Sequence, residues 1–419
     1  MATRLTTFSK FLITLLILAV IVFAGNWVLN NTEFGRNLVD QSNADSPRVN
    51  ESPAQKADRG STSSSGEDVI KIGVVTWGGY AGGQYFNEGF KANTRSRFYK
   101  DYGFKVEFKI LDDFEASRAA FKNDEVNLLW ATIDAFPTEV ESLRAYDPKV
   151  VFQADWSRGG DAIVVRRGIN TVADLKGKKI AVAELTPSHS FLLWLLDAGG
   201  LTINDVTLVK QSSAIDAAAA FKGKQVDAAV VWSPDDEDCV NSVPGARVLE
   251  NTKSASHIIA DVFIAKGAYI ENNQKRLQQL YEGWMIGAAE INSNDGNKRK
   301  AAKILAEAFD GFDENMTYNA INNVRLCTNG DNQNFFGLNR EYKGVTGESL
   351  YSRMSNIYRE LGFAGDNVPN WRLIRQSSFV QNASLSGPEQ NAEGQKTFAA
   401  VKESDKTKAA IASKQVSIN

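Results

Sequence analysis

The sequence predicts a two-lobed α/β protein, each lobe a mostly parallel sheet flanked by helices, with an N-terminal transmembrane or signal helix. Three observations carry that expectation. Strand-like apolar runs alternate with helical stretches at the spacing of βαβ units. The 419 residues exceed what one ordinary core holds. Near the start, an apolar run over 11–29, FLITLLILAVIVFAGNWVL, follows Arg4 and Lys10 with no acid before it.

Basic residues stay on the cytoplasmic side of a membrane, so the chain beyond this run is expected to be exported. The run reads as a cleaved signal peptide whose apolar core ends at the small residue Ala24. It also reads as a retained anchor, the preferred version, because continuation through Trp27, Val28 and Leu29 gives about 19 residues, enough to span a bilayer. No cysteine follows it, which removes lipoprotein processing. Residues 31–68 are rich in Ser, Asn, Asp and Gly and bury too little apolar surface to offset their ordering entropy, so they read as a flexible linker. A net charge of −3, with no basic block long enough to follow a phosphate backbone, excludes nucleic acid as a partner.

The first lobe opens on VIKIGVVTW (69–77), a nearly continuous apolar strand of the buried kind. GGYAGG (78–83) then leads into one long helix ending near Tyr102. This loop lacks the Gly-Lys-Ser/Thr ending of a nucleotide loop and the spacing of a dinucleotide fingerprint. Two readings stand: small residues admit a ligand to the backbone while Trp77 and Tyr80 offer aromatic walls, or the glycines are turn residues beside core aromatics. Strands over 104–112 and 126–134 flank a helix over 116–123. In open α/β sheets the ligand lies beyond the carboxyl ends of the strands, which makes Thr132 and Asp134 candidates by position. A helix over 136–146 and a strand over 150–156 carry the chain to a crossover at Ser157-Arg158-Gly159-Gly160.

The second lobe begins DAIVVRRGINTVADLKGKKIAVAELTPSHSFLLWLLDAGGL, over 161–201. It reads as a strand starting beside Asp161, a one-turn helix, a basic corner, a second strand and a helix with Thr186 as N-cap and Pro187 first, where a missing N–H costs nothing. The N–H groups of Ser188, His189 and Ser190 would then point beyond the strand end as a ligand-facing pole. DVTLVKQ, an alanine-rich helix over 214–221 and DAAVVWSPDDED follow, the last placing Trp232 and Asp235 at another strand end. After an edge strand over 247–252 the chain returns through IIADVFIAK (258–266), with Asp261 facing the cleft. Two crossovers so far apart in sequence make a hinge suited to closure.

The run TVADLKGKKIAV, its polar turn and apolar helix capped by Ala-Gly-Gly-Leu, together with AIDAAAAFKGKQVDAAVVWSP, resembles the periplasmic substrate-binding proteins of ABC transporters, nearest the nitrate/sulfonate/taurine-type branch. The resemblance covers about 69–379, most strongly to about 309. It implies the type II periplasmic-binding-protein fold, a cleft that uses the strand end at Thr132 and Asp134, an ABC permease as partner and a location in the periplasm or cell envelope. The expected division is 1–30 signal anchor or signal peptide, 31–68 linker, 69–156 plus 257–380 first lobe with C-terminal helices, 157–256 second lobe, and 381–419 polar tail. The tail resembles the approach to an OmpA-like module that this sequence does not contain.

Helices are expected over 274–292, 297–308, 314–324 and 347–361, with a short one near 371–379; Leu277, Leu280, Trp284, Ala288 and Ile291 mark a core face. Cys239 and Cys327 allow one disulfide, although their lobes differ. His189 and His257 belong to no metal-ligand spacing, and no nucleophile elbow occurs, so no metal, cofactor or catalytic residue is assigned. The expected ligand wall combines Asp134, Asp161, Asp235 and Asp261 with Trp77, Tyr80 and Trp232, which suits an amine. The helix pole at Ser188, His189 and Ser190 favours an oxyanion. The ligand expectation therefore spans a sulfonate, an amino acid, an amine or an oxyanion, and an envelope sensor or an enzyme on the same fold remains as an alternative function.

Overall fold

Valine- and isoleucine-rich runs bounded by glycine or polar turns cannot stay solvated, and they pair into two buried sheets. The computed structural model describes residues 69–394; the expected span over 11–29, the linker over 31–68 and most of the tail lie outside the described residues. In chain order come β1 (Val69–Val74), α1 (Ala81–Phe86), α2 (Arg97–Tyr102), β2 (Lys105–Ile110), α3 (Phe114–Lys122), β3 (Leu128–Thr132) and β4 (Pro148–Ser157). Then follow β5 (Asp161–Val165), β6 (Lys179–Ala183), α4 (Pro187–Ala198), β7 (Thr207–Gln211), α5 (Ala214–Lys222), β8 (Ala228–Trp232), α6 (Asp235–Ser242) and β9 (Arg247–Asn251). The chain returns through β10 (Ala260–Lys266), α7 (Gly267–Ser293), α8 (Asp295–Ala306), α9 (Glu314–Asn322), β11 (Val324–Leu326), α10 (Asn329–Phe335), α11 (Gly347–Glu360), α12 (Trp371–Ile374) and α13 (Ser378–Gln381).

The first sheet has the order β11-β4-β10-β3-β1-β2 and the second β7-β6-β8-β5-β9. Both are mixed: four of the six strands in the first and four of the five in the second run one way, in keeping with the expected mostly parallel sheets, and the rest run against them. β1 runs parallel to β2 and β3, and β6 to β7 and β8, whereas β10, β11 and β5 make antiparallel pairs. The reason is the crossing chain. Strands of the βαβ units end at the cleft, but β5 and β10 enter their sheets from the cleft side and so run the other way.

Both crossovers are tied together by one hydroxyl. Thr252 Oγ1 lies 2.7 Å from Ser157 Oγ and accepts the Gly159 N–H at 2.7 Å, while the Thr252 N–H donates to the Asp161 carbonyl at 3.0 Å. Replacing Thr252 by valine keeps the shape but leaves a buried N–H without a partner. We expect a loss of about 1–3 kcal/mol in chemical denaturation, with Thr252→Ser retaining most of the stability.

Several helices differ from expectation. The long helix to Tyr102 is broken: α1 stops at Phe86, and Glu88 and Gly89 take positive φ values of 55° and 128°. Asn87 holds the reversal by donating to the carbonyls of Gly89 and Val106, and the Ser96 hydroxyl restarts the chain as the α2 cap. Residues 136–146 form two 3-10 turns rather than a helix, with Pro137 at the start of the first and Asp147 left-handed after the second. The end of the expected 314–324 helix is β11, pairing with β4. The segment that ends at Phe335 is α10, opened by a Thr328/Asp331 capping box. Cys239 and Cys327 are both free and buried, so the possible disulfide is not formed.

Trp284 of α7 anchors the larger core, with ring centroids 4.8 Å from Phe263, 5.1 Å from Phe152 and 5.8 Å from Phe108. A Cβ on Gly83 would come within 2.4 Å of that indole, and one on Gly79 within 1.8 Å of the Asp155 carboxylate. The glycine-rich loop therefore serves close packing against protein, not an open backbone face for ligand. Among the described residues no helix is long and apolar enough to cross a membrane.

Candidate functional site

The strand ends of the two sheets meet around a small cavity lined by Trp77, Trp130 and Asp261 from one side and Asp161, Pro187 and Trp232 from the other. Its volume is about 10 Å³, room for one water molecule. Three indoles wall it at right angles: Trp232 meets Trp77 edge to face at 6.4 Å and Trp130 at 5.8 Å. Trp77 Nε1 donates to Asp155 Oδ2 at 3.1 Å, whereas the indole N–H groups of Trp130 and Trp232 have no protein acceptor.

Trp130 is held from behind. The Arg118 guanidinium sits 4.5 Å from its ring and 3.9 Å from that of Phe114, and it grips the Glu139 carboxylate through two hydrogen bonds of 2.7 and 2.8 Å. Both ends of this ion pair are buried.

Carboxylates supply the polarity. Asp261 Oδ1 accepts the Tyr80 hydroxyl at 2.6 Å, and Asp261 stands opposite Thr132 across the β10–β3 ladder. Asp161 is buried with neither oxygen hydrogen-bonded. Burial pushes its carboxyl up to about 8, the Ser157 hydroxyl offsetting part of the rise while Asp134 and Asp236 add to it. Asp134 also lacks a partner at hydrogen-bonding geometry; burial raises it to about 7 even though the Ser190 and Thr132 hydroxyls lie close enough to ease it. Burial lifts Asp155 and Asp261 well above the carboxylate range, and the charge of each neighbouring aspartate adds to the rise.

Two of the three N–H groups expected at the α4 pole are bonded within the chain. Thr186 Oγ1 donates back to the Ala183 carbonyl at 2.7 Å instead of capping, and the N–H groups of His189 and Ser190 both donate to the Thr186 carbonyl. His189 turns from the cavity toward Tyr358 and Phe363, accepts the Leu185 N–H at Nδ1, and is pushed by burial down to about 4. The Ser190 hydroxyl pairs with Tyr358 OH at 2.7 Å, clasping α11 to α4. Ser188 is buried with its hydroxyl unpartnered. Asp235 also stands apart. With Thr76, Asp112, Lys222, Asp238 and Asp310 it lines a separate hollow of about 450 Å³, and burial raises it to about 7.

Of the sequence-predicted residues, Trp77, Asp161, Trp232 and Asp261 line the cavity, and Tyr80, Thr132 and Asp134 back it. Trp130 and Asp155 were missed. Trp130 shares the face of Thr132 by strand alternation, and a lone aspartate in VVFQADW was the available signal for Asp155.

The order of crossovers, strands and helices around this cleft has a counterpart among known proteins. Residues 156–294 match the NMT1/THI5-like family. This NMT1/THI5-like segment runs from the end of β4 through the whole second sheet into α7. Over 122 residues the chain is 30% identical to a binding protein of Brucella abortus, a stretch of 29% of this chain and 38% of that one. The chain thus spans well under half the length of this relative.

In structure it superposes on the periplasmic aliphatic sulphonate binding protein SsuA from Escherichia coli with a TM-score of 0.56, at 19% identity, over 76% of this chain and 100% of that one. The desulfurization enzyme DSZB shares the fold too, with a TM-score of 0.51 at 16% identity over 75% of this chain and 98% of that one. The fold is therefore that of periplasmic binding proteins, and by itself it does not separate capture from catalysis.

Proposed function

We propose that this protein is an exported solute-binding protein whose two lobes close over a small polar solute and present it to an ABC permease, with the apolar run over 11–29 as its membrane tether. The observation that carries the reading is the interlobe cavity. Residues from both sheets converge on it beside a pair of crossover strands, and Asp161 is buried there with both oxygens unpartnered. A buried polar group without a partner costs about 1–3 kcal/mol, an expense a binding site recovers when solute arrives.

The resemblance to SsuA and to the Brucella binding protein supports capture over turnover, and Trp77, Tyr80, Trp130, Thr132, Asp134, Asp155, Asp161, Trp232 and Asp261 are the residues assigned to the solute and its immediate supports. Ser188, next to the lining residue Pro187 on α4, is a further candidate, while Asp235 belongs to the separate hollow. Native mass spectrometry of the full chain, purified gently from its own envelope, is expected to show one co-purified small molecule. Its removal and return are expected to expand and recompact the protein in small-angle scattering. A chain that carries no solute and keeps one radius of gyration throughout contradicts the reading.

A further inference from the structure

Solute capture leaves the charge of the solute open, and the cavity itself bears on it. Two carboxylates, Asp161 and Asp261, line the space, and Asp134 and Asp155 stand close enough behind them for their charges to act on those two. All four are buried. Their hydrogen-bond partners are few: an indole N–H for Asp155, a phenol for Asp261, and none at good geometry for Asp134 and Asp161. Among the described residues none of the four forms an ion pair with Lys, Arg or His; the charges that act on them are those of other aspartates. Burying ionised carboxylates without a counter-charge is strongly unfavourable, so these four hold protons and ionise readily only beside a positive charge.

A second, independent feature points the same way. Trp77, Trp130 and Trp232 line the space with their rings at interplanar angles of 70° and 80°, and an indole face that opens onto it attracts a cation. The unpartnered donors at the cavity wall, the Trp130 and Trp232 indole N–H groups, are neutral. The N–H groups of His189 and Ser190 are spent on the Thr186 carbonyl, and no basic side chain lines the cavity. A metal ion fits less well, since no three acidic, His or Cys side chains among the described residues are placed to ligate one.

We propose that the lobes part from this arrangement, whose cavity holds about 10 Å³, to receive a cationic nitrogen group between them, paired with Asp161 and Asp261 and walled by Trp77, Trp130 and Trp232. This rests on the solute-capture reading and names the solute's chemical class. The separate hollow lined by Asp112, Asp235, Asp238 and Asp310 against Lys222 adds to the negative field of the protein, which favours the approach of cations. Closing over the cation replaces the protons shared among the aspartates with a fixed positive charge. Atoms are conserved: protons leave for solvent as the ammonium or related head enters.

The test is calorimetric titration of the full chain with methylammonium, tetramethylammonium and 1,4-diaminobutane, beside ethanesulfonate and nitrate. At least one of the three cations is expected to bind, and its affinity is expected to rise at least about tenfold between about pH 6 and pH 8.5 as carboxyl protons are given up. The groups whose titration enters that rise are the carboxyls of Asp134, Asp155, Asp161 and Asp261, with Asp236 acting on Asp161 from α6, while Tyr80, raised by burial well above its ordinary value, stays protonated. Asp161→Asn, nearly isosteric and free of the buried charge, is expected to keep the fold and lose about tenfold or more of the cation affinity.

Failure of all three cations to bind overturns the proposal, as does a co-purified solute that carries no basic nitrogen. Binding of ethanesulfonate or nitrate, weakening as pH rises and indifferent to Asp161→Asn, overturns the charge assignment while leaving solute capture standing. If no probe binds and nothing co-purifies, solute capture falls with it.

Discussion

Replacing Arg118 by methionine is expected to lower the folding stability by about 3–5 kcal/mol, the effect of stranding one member of a buried ion pair. Arg118 and Glu139 meet through two short hydrogen bonds with both side chains more than nine-tenths buried, at 4% and 7% exposure. Methionine preserves most of the volume but leaves the Glu139 carboxylate without a counter-charge. The same change removes the guanidinium that lies against Trp130, so the cavity wall is expected to loosen as well. Denaturant titration checks the first effect, and weaker binding of whatever solute the wild type captures checks the second. Glu139→Gln added to Arg118→Met is expected to restore part of the stability, because no charge is then left buried; equal losses in the single and double variants would contradict the account.

Raising the pH from about 6.5 to about 8.5 is expected to destabilise the solute-free protein by about 2–4 kcal/mol, taking each unit of displacement as about 1.4 kcal/mol and allowing for partial relaxation. Burial raises the carboxyls of Asp134 to about 7, Asp161 to about 8 and Asp235 to about 7 in the folded state. The folded protein therefore holds protons that the unfolded chain has released, and stability falls as pH climbs through the folded values. His189 acts oppositely and at lower pH. Burial depresses it from 6.5 to about 4, so unfolding takes up a proton there and stability rises with pH through that interval. Above about pH 6.5 only the carboxyls act, which fixes the window to measure. Thermal midpoints are expected to drop across that window, and Asp161→Asn is expected to flatten the slope. A midpoint that stays constant or rises argues that these carboxyls are solvated in solution.

Sequence alone reached the order of strands and helices in the second lobe, because βαβ repeats depend on local periodicity: the strand ending at Trp232, the alanine-rich helix before it and the helix opening at Pro187 all lie where the pattern puts them. It failed where a local signal competes with a distant one. The helix expected to run to Tyr102 gives way to a reversal held by Asn87 on the carbonyl of Val106, and β11 forms from the end of a helical pattern because β4 offers a partner.

At the site, the strand-end rule was enough to find Trp77, Asp161, Trp232 and Asp261, since each terminates or borders a recognisable strand. How much of the α4 pole stayed free was not written in the local sequence. That depended on where Thr186 placed its hydroxyl and carbonyl, and both turn inward. Nor could sequence separate Asp235 from Asp161, two aspartates at strand borders, because the β5–β8 register puts Asp161 opposite Trp232 while the turn after Trp232 carries Asp235 onto α6. The residue types came from the chain, but burial, which gives these aspartates their raised affinity for protons and their want of a counter-charge, exists only once two lobes exclude water from the space between them.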